Sequence, residues 1–240
     1  MYNIYGCDYM QDIYTYFMLF TIYSILGWII ELVDLSILEK KLIKNRGFFI
    51  GPYCPIYGFG ALIMTLFLTK YENDPVVLFF MAIIVTSILE YFTSVILEKV
   101  FNARWWDYSN MPFNINGRVL LINSLGFGFF GLILIYYFNP FLLNIFSKIN
   151  YNIFQIISII LFIMFLLDAI LSITIMFKIK ANTKLFKGDN TYILSSKVKE
   201  ELKKFGKLKK RLLNAFPHIN ILDNNPLKKI KIFLEKNFKK

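Results

Sequence analysis

Two glutamates, Glu31 and Glu90, lie inside long apolar stretches. Each stands six residues before the same tetrapeptide, Ile37-Leu38-Glu39-Lys40 in one case and Ile96-Leu97-Glu98-Lys99 in the other. Asp168 is a further acid inside a separate apolar run. A charge in hydrocarbon is costly unless it faces protein or water, so such groups mark paired or working sites. Three chemistries suit them. They can form structural ion pairs with Arg46, Arg104 or Arg118, bind a cation or proton during transport, or act as acid and base on a substrate. Glu31 and Glu90 each precede the second acid of their segment by eight residues, which places them about 12 Å deeper along a helix. Thr86, Glu90, Thr93 and Ser94 return to one helical face and make a polar stripe that should point into the protein.

Two further segments carry chemistry. The first is Asn45-Arg46-Gly47-Phe48-Phe49-Ile50-Gly51-Pro52-Tyr53-Cys54-Pro55-Ile56-Tyr57-Gly58. Its glycines and prolines (Gly51, Pro52, Pro55, Gly58) permit tight non-helical backbone, which at membrane depth lines a cavity or is sheltered by protein. Cys54, between Tyr53 and Pro55, reads as a small packed residue, because no His lies nearby to activate a thiol. The second is Arg104-Trp105-Trp106-Asp107-Tyr108, continued by Phe113 to Arg118. Its rings suit a membrane interface. The adjacent Arg104 and Asp107 suit a fixed ion pair or an anion contact.

Several classes are absent. The chain has no GxxxxGK[ST] phosphate loop, no HExxH and no GxSxG, which argues against a nucleotide hydrolase and the common hydrolases and weighs against an enzyme. The single histidine, His218, argues against histidine-based metal sites, and no cofactor is implied. Cys7 and Cys54 are expected on opposite sides of the membrane, without a disulfide. No zinc-finger, RNP or helix-turn-helix pattern accompanies the +11 charge, so nucleic acid is not an expected partner. Residues 1–12 lack Lys and Arg and do not read as a cleaved signal peptide.

The elements that must hold these residues are membrane helices. The chain is 57% hydrophobic over 240 residues, with mean hydropathy +0.53, and the apolar residues come in blocks. Spans are expected at 13–38, 53–68, 76–100, 119–138 and 154–177, the second short and irregular at its start, with a turn near Asn139-Pro140. This is an all-α polytopic membrane protein of about five transmembrane helices, with a membrane domain over 1–178 and a basic tail over 179–240. Of the 27 Lys and Arg, 18 lie after residue 177. Basic loops alternate with poor ones, which places the N-terminus outside and the C-terminus in the cytoplasm of the cell membrane. Within the tail, Val198, Leu202, Phe205, Leu208, Leu212 and Phe216 share a helical face, and a second basic segment starts at Pro226. Such helices suit a membrane surface rich in anionic lipid or a packed hairpin beneath the protein.

An internal repeat orders the spans. Besides the two Glu-x5-Ile-Leu-Glu-Lys segments, Gly58-Phe59-Gly60 is echoed by Gly126-Phe127-Gly128. The chain reads as two similar parallel hairpins plus a fifth helix.

Three long segments, Asn45–Ala61, Leu89–Lys99 and Arg104–Arg118, together with Gly27-Trp28, Glu31 and Ala215-Phe216-Pro217, resemble the CmpB-like bacterial membrane proteins of the Putative ABC-transporter type IV family. The resemblance implies a permease working with a separate ATPase subunit or as a homo-oligomer. It marks Glu31, Arg46, Tyr53, Cys54 and Glu90 as site residues, with Gly51, Pro52 and Pro55 beside them. It adds Glu98, Arg104, Trp105, Trp106, Asp107, Tyr108 and Arg118. All lie on the cytoplasmic half in the expected topology. The functional expectation is a permease-like transport component with a polar site on that half. The alternatives are an enzyme or binder of inner-leaflet lipid headgroups, and a scaffold that recruits a partner through its tail.

Overall fold

The computed structural model describes residues 12–38, 40, 47, 49–101, 103–185 and 220–221. Arg46, Glu39, Cys7, His218 and the expected tail helices lie outside these residues. The described chain is mostly helical, with α1 Ile13–Leu38, α2 Pro55–Leu68, α3 Pro75–Phe101, α4 Leu121–Ile133, α5 Asn139–Phe146 and α6 Tyr151–Leu185. Four helical segments are long and apolar enough to cross a membrane, namely Ile13–Asp34, Pro75–Phe101, Leu121–Phe146 and Tyr151–Thr174. This is a multi-pass membrane protein. The segment expected as the second span is α2, whose 14 residues cover about 21 Å, short of the ~30 Å hydrocarbon core. The preceding residues up to Cys54 are non-helical, and Pro55 opens the helix, as Pro does where its missing N–H costs nothing.

The span expected at 119–138 differs from expectation. The turn anticipated near Asn139-Pro140 is absent, and the helix runs on to Phe146 through a π-helical stretch, Leu134–Phe138. A proline ring collides with the carbonyl four residues earlier in a regular α-helix. The wider π turn immediately before Pro140 loosens that geometry and lets the chain continue.

Helix α3 shows how sequence becomes packing. Leu78, Ala82, Thr86, Glu90 and Ser94 recur every four residues and are all buried. Phe80, Ile84, Ile88, Phe92 and Ile96, two positions out of phase, are all exposed. Two residues turn a helix by about 200°, so one row faces protein and the other faces hydrocarbon.

The helices pack as α1 with α2 and α3 with α4. The second hairpin carries a long connection in which β1 (Ala103–Arg104) pairs antiparallel with β4 (Asn220–Ile221), and β2 (Asn114–Ile115) with β3 (Val119–Leu120). The β2–β3 turn uses left-handed backbone at Asn116 and Gly117, the residue types that adopt it most readily. The two hairpins are not superimposable copies. In the first, Gly58 makes the close approach, since a Cβ there would lie 2.5 Å from the Phe20 carbonyl oxygen of α1. In the second it is Gly128, against Phe79 of α3 at 2.7 Å, and its neighbour Gly126 meets nothing within 4 Å. Gly58 aligns with Gly126 in the repeat, so the packed face of α4 is turned by two residues relative to α2.

This asymmetry is testable. Gly58→Ala should destabilise the protein by roughly 1–3 kcal/mol through overpacking against backbone. Gly126→Ala should be neutral or gain up to ~1 kcal/mol from helix propensity. Unfolding in detergent micelles measures both, and equal costs at the two sites would refute the asymmetry.

Candidate functional site

The acids named from sequence separate into distinct environments. Asp168, on α6, holds the irregular segment before α2. Its Oδ1 accepts from the Ile50 N–H at 2.9 Å, and its Oδ2 accepts from the Gly51 N–H at 2.6 Å and the Tyr53 hydroxyl at 2.5 Å. Ser172 donates to Oδ1 from one turn further along, at 2.9 Å. The Cys54 N–H donates to the Ser24 carbonyl of α1 at 2.8 Å. Pro52 and Pro55 have no N–H to satisfy. An unwound backbone between membrane helices needs such partners, because lipid supplies none. Cys54 is buried, and the Tyr53 ring packs at a tilt against Phe165 and Phe49. This segment is a clamp between α1 and α6.

Glu98, at the end of α3, is an ion-pair hub. Arg118 approaches its Oε2 at 2.6 Å and Arg104 at 3.3 Å. Arg118 also donates to the Ser94 hydroxyl at 2.9 Å, and Arg104 to Asp107 at 3.1 Å. Slight burial raises the Asp107 pKa. Hydrogen bonds from the Ser109 hydroxyl and N–H, with the Arg104 charge, outweigh it and hold the carboxyl below the usual aspartate value. The depressed value means that this anchoring is present above the ordinary aspartate range and is lost as pH falls through the lowered pKa. Gly117 lies beneath the cluster, where a Cβ would sit 2.6 Å from Asp107 Oδ1. Trp106 donates its indole N–H to the Arg118 carbonyl at 2.8 Å, and buried Trp105 packs edge-on to Phe101. The Arg-Trp-Trp-Asp-Tyr segment is thus a folded cap fastened to the end of α3.

Glu31 and Glu90 meet at a third place. A cavity of about 410 Å³ lies among α1, α2, α3 and α4, and both glutamates line it, one from each hairpin. The Tyr57 hydroxyl hydrogen-bonds Glu31, and a Cβ at Gly27 would lie 2.2 Å from the Tyr57 ring, so only glycine admits that ring against α1. Glu90 is 7% exposed, and its Oε2 has no hydrogen-bond partner among the described residues. Trp106 and Tyr108 of the cap face the same space, with Phe127 and Asn123 of α4. Asn123 donates to the Tyr108 hydroxyl at 3.1 Å. No Lys, Arg or His is among the described lining residues.

Of the residues named from sequence, the structure therefore brings Glu31, Glu90, Trp106 and Tyr108 to the cavity. It places Tyr53, Cys54 and Asp168 in the clamp, and Glu98, Arg104, Asp107 and Arg118 in the cap. Arg46 lies outside the described residues. Sequence reasoning passed over Tyr23, Tyr57, Asn123 and Asn139. The Tyr23 hydroxyl, on a residue lining the far end of the cavity, donates to Asn139 Oδ1 at 2.7 Å, and Asn139 donates to the Thr65 hydroxyl at 3.0 Å. The signal for Asn139 was present: an amide before a proline in an apolar run, read as a turn.

The clamp predicts a labelling result. In a Cys7→Ser background, Asp168→Ala should raise the maleimide reaction rate of Cys54 by about tenfold, the effect of losing one charge-assisted hydrogen bond worth roughly 1.5 kcal/mol. An unchanged rate would show that the loop holds without Asp168.

No curated protein and no solved structure matches the chain. One family does: Putative ABC-transporter type IV, over residues 18–173. That stretch runs from α1 through most of α6 and contains the clamp, the cap and the cavity. The chain belongs to the Putative ABC-transporter type IV family.

Proposed function

We propose that the protein is a permease-like transport component whose solute site is the cavity between the two hairpins. The observation that carries this reading is the convergence of Glu31 and Glu90, one from each repeat, on a single cavity at the hairpin interface. Transporters built from repeats place their sites at the interface between them. Membership of an ABC-transporter-type family supports the same reading.

The proposed orientation has the N-terminus outside and the basic tail in the cytoplasm. Loop charge supports it: the loop after α1 carries Lys40, Lys41, Lys44 and Arg46, and the turn after α2 only Lys70. A fifth crossing then needs α2 to be extended by the clamp residues before it and the 3-10 turn Thr69–Tyr71 after it. The cap and the Glu98 hub lie on the cytoplasmic half. The family supports an ATPase subunit as partner, since the chain has no phosphate loop of its own; a homo-oligomer is the other arrangement, and the tail meets anionic lipid. The competing reading, a binder of anionic inner-leaflet headgroups, needs a free cation in the pocket. Arg104 and Arg118 are instead engaged with Glu98.

Glu90→Gln tests the proposal. Proteoliposomes holding the parent chain, with and without a co-purified ATPase, should move a solute that the Glu90→Gln protein moves at least about tenfold more slowly, the scale expected when a charged contact is lost. Arg118→Lys, outside the cavity, should retain most of the rate. Equal rates for the parent and Glu90→Gln proteins would remove the cavity from transport. In a Cys7→Ser background, Asn73→Cys should be labelled from outside by an impermeant thiol reagent, and labelling only from the cytoplasmic side would refute the proposed orientation.

A further inference from the structure

We infer that the cavity takes a lipophilic alcohol, an uncharged hydroxyl group on an apolar body, which enters sideways from the bilayer and hydrogen-bonds Glu90. This deepens the transport reading by naming the class of its substrate, and it rests on the cavity being the binding site. The way in follows from the packing. The close helix contacts run from α1 to α2, from α2 to α3 and from α3 to α4, and α1 with α4 is not among them. All four helices line the cavity, so the gap between α1 and α4 is its side opening. Ile30 of α1, Phe130 and Ile133 of α4, and Phe138 of the π-helical stretch line the cavity and are also exposed on the surface of the described bundle. In a membrane span that surface meets hydrocarbon. Glu90 stands about 22 Å from the start of α3 and about 16 Å from its end. The acid therefore lies at the depth of lipid tails rather than headgroups.

The interior then supplies an unsatisfied group. Glu90 is more than nine-tenths buried, faces the cavity and leaves Oε2 without a partner among the described residues. Neighbouring polar groups of the lining are engaged within the protein. The Thr86 hydroxyl donates to the Ala82 carbonyl at 2.7 Å, Asn123 to the Tyr108 hydroxyl at 3.1 Å, and the Tyr23 hydroxyl to Asn139 at 2.7 Å. A buried polar atom left unpaired is costly, and a ligand hydroxyl removes that cost. A hydroxyl donates to a carboxylate and accepts from a carboxylic acid, so it serves Glu90 in either protonation state. The route selects against charge, because a charged group would have to reach the apolar rim through hydrocarbon. Leu26, Ile56, Met64 and Leu134 give the apolar body its walls, and a volume of about 410 Å³ suits a compact organic group.

The photoreactive alcohol 4-(hydroxymethyl)benzophenone tests the hydroxyl, because 4-ethylbenzophenone has the same shape with a methyl in its place. The full chain is held in phosphatidylcholine nanodiscs, whose headgroups offer no O–H donor. Irradiation should give a saturable adduct on Met64, a buried lining residue, read by mass spectrometry. Half-saturation should come at about a fivefold lower mole fraction for the alcohol than for the ethyl probe, the scale of one buried hydrogen bond. With Glu90→Met the two probes should label alike. Equal half-saturation in the parent chain would overturn the inference, as would the lack of a saturable Met64 adduct. The probe pair needs no variant, so it decides the matter even if Glu90→Met fails to fold. A phosphatidylcholine bearing benzophenone at the end of an acyl chain tests the entrance, because it cannot leave the bilayer. It should also label Met64, and adducts confined to exposed residues such as Ile84 and Phe129 would overturn the side opening. A hydroxyl can belong to a membrane lipid or to a dissolved solute. Displacement of the alcohol probe by dioleoylglycerol would support the same chemistry with a lipid as its source; undiminished labelling would support a compact solute. Solute flux in proteoliposomes is measured separately. Glu90-dependent labelling without Glu90-dependent flux would remove the permease role and keep the alcohol site, whereas such flux with no Met64 adduct would do the reverse.

Discussion

The Asp168 carboxylate, accepting from Ile50, Gly51 and Tyr53, is the contact on which much of the remaining architecture depends. The chain leaves helix between α1 and α2, and there its backbone N–H groups must find acceptors within the protein. One acid on α6, the Ser24 carbonyl of α1 and two prolines without N–H groups meet that need. The same contact docks α6 on the first hairpin, where Phe165 stacks with Phe49 and packs at a tilt against Tyr53. With the loop held, Pro55 starts α2 at a set position, and Tyr57, one residue beyond Ile56, turns its ring onto Gly27 and its hydroxyl to Glu31. The clamp therefore positions one wall of the cavity without touching it.

Charge is handled by separation. The acids and bases that pair, Glu98 with Arg104 and Arg118, do so at the end of α3, where the side chains keep some contact with solvent. Such partly exposed pairs contribute little individually, but a linked set fixes geometry. Here the fixed object is the cap, whose Trp106 and Tyr108 close over the cavity. The arginines thus shape the pocket while remaining outside its described lining.

The repeat shows how far similar sequence carries into similar structure. Glu31 and Glu90 keep equivalent places, since both line the cavity between the hairpins. The glycine motifs do not, since Gly58 in one copy and Gly128 in the other make the close contact. A shift of two residues reverses the helix face. It brings Phe127 into the cavity and leaves its counterpart Phe59 exposed beside Phe20. The cavity is therefore lined unequally by the two hairpins.

The sequence by itself determined the helical membrane class, the family, the bounds of α1, α3 and α6 to within a few residues at most of their ends, and the place of Glu31 and Glu90 within apolar helices. Long apolar runs and motif spacing are local properties, and hydrocarbon admits few alternatives to a helix. Only the tertiary structure decided what each acid does. Asp168, Glu98 and Glu90 are all acids in or beside apolar runs, yet one holds a loop, one joins two arginines and one faces a cavity. The difference lies in partners 118, 20 or fewer residues away in sequence or, for Glu90 Oε2, absent among the described residues. Likewise the continuation of the Leu121–Phe146 span through Pro140 depended on a π turn that no residue pattern announces, and with it the Tyr23–Asn139–Thr65 chain. Hydrogen-bond partners are chosen by which helices come together, and that choice is made by packing across the whole bundle.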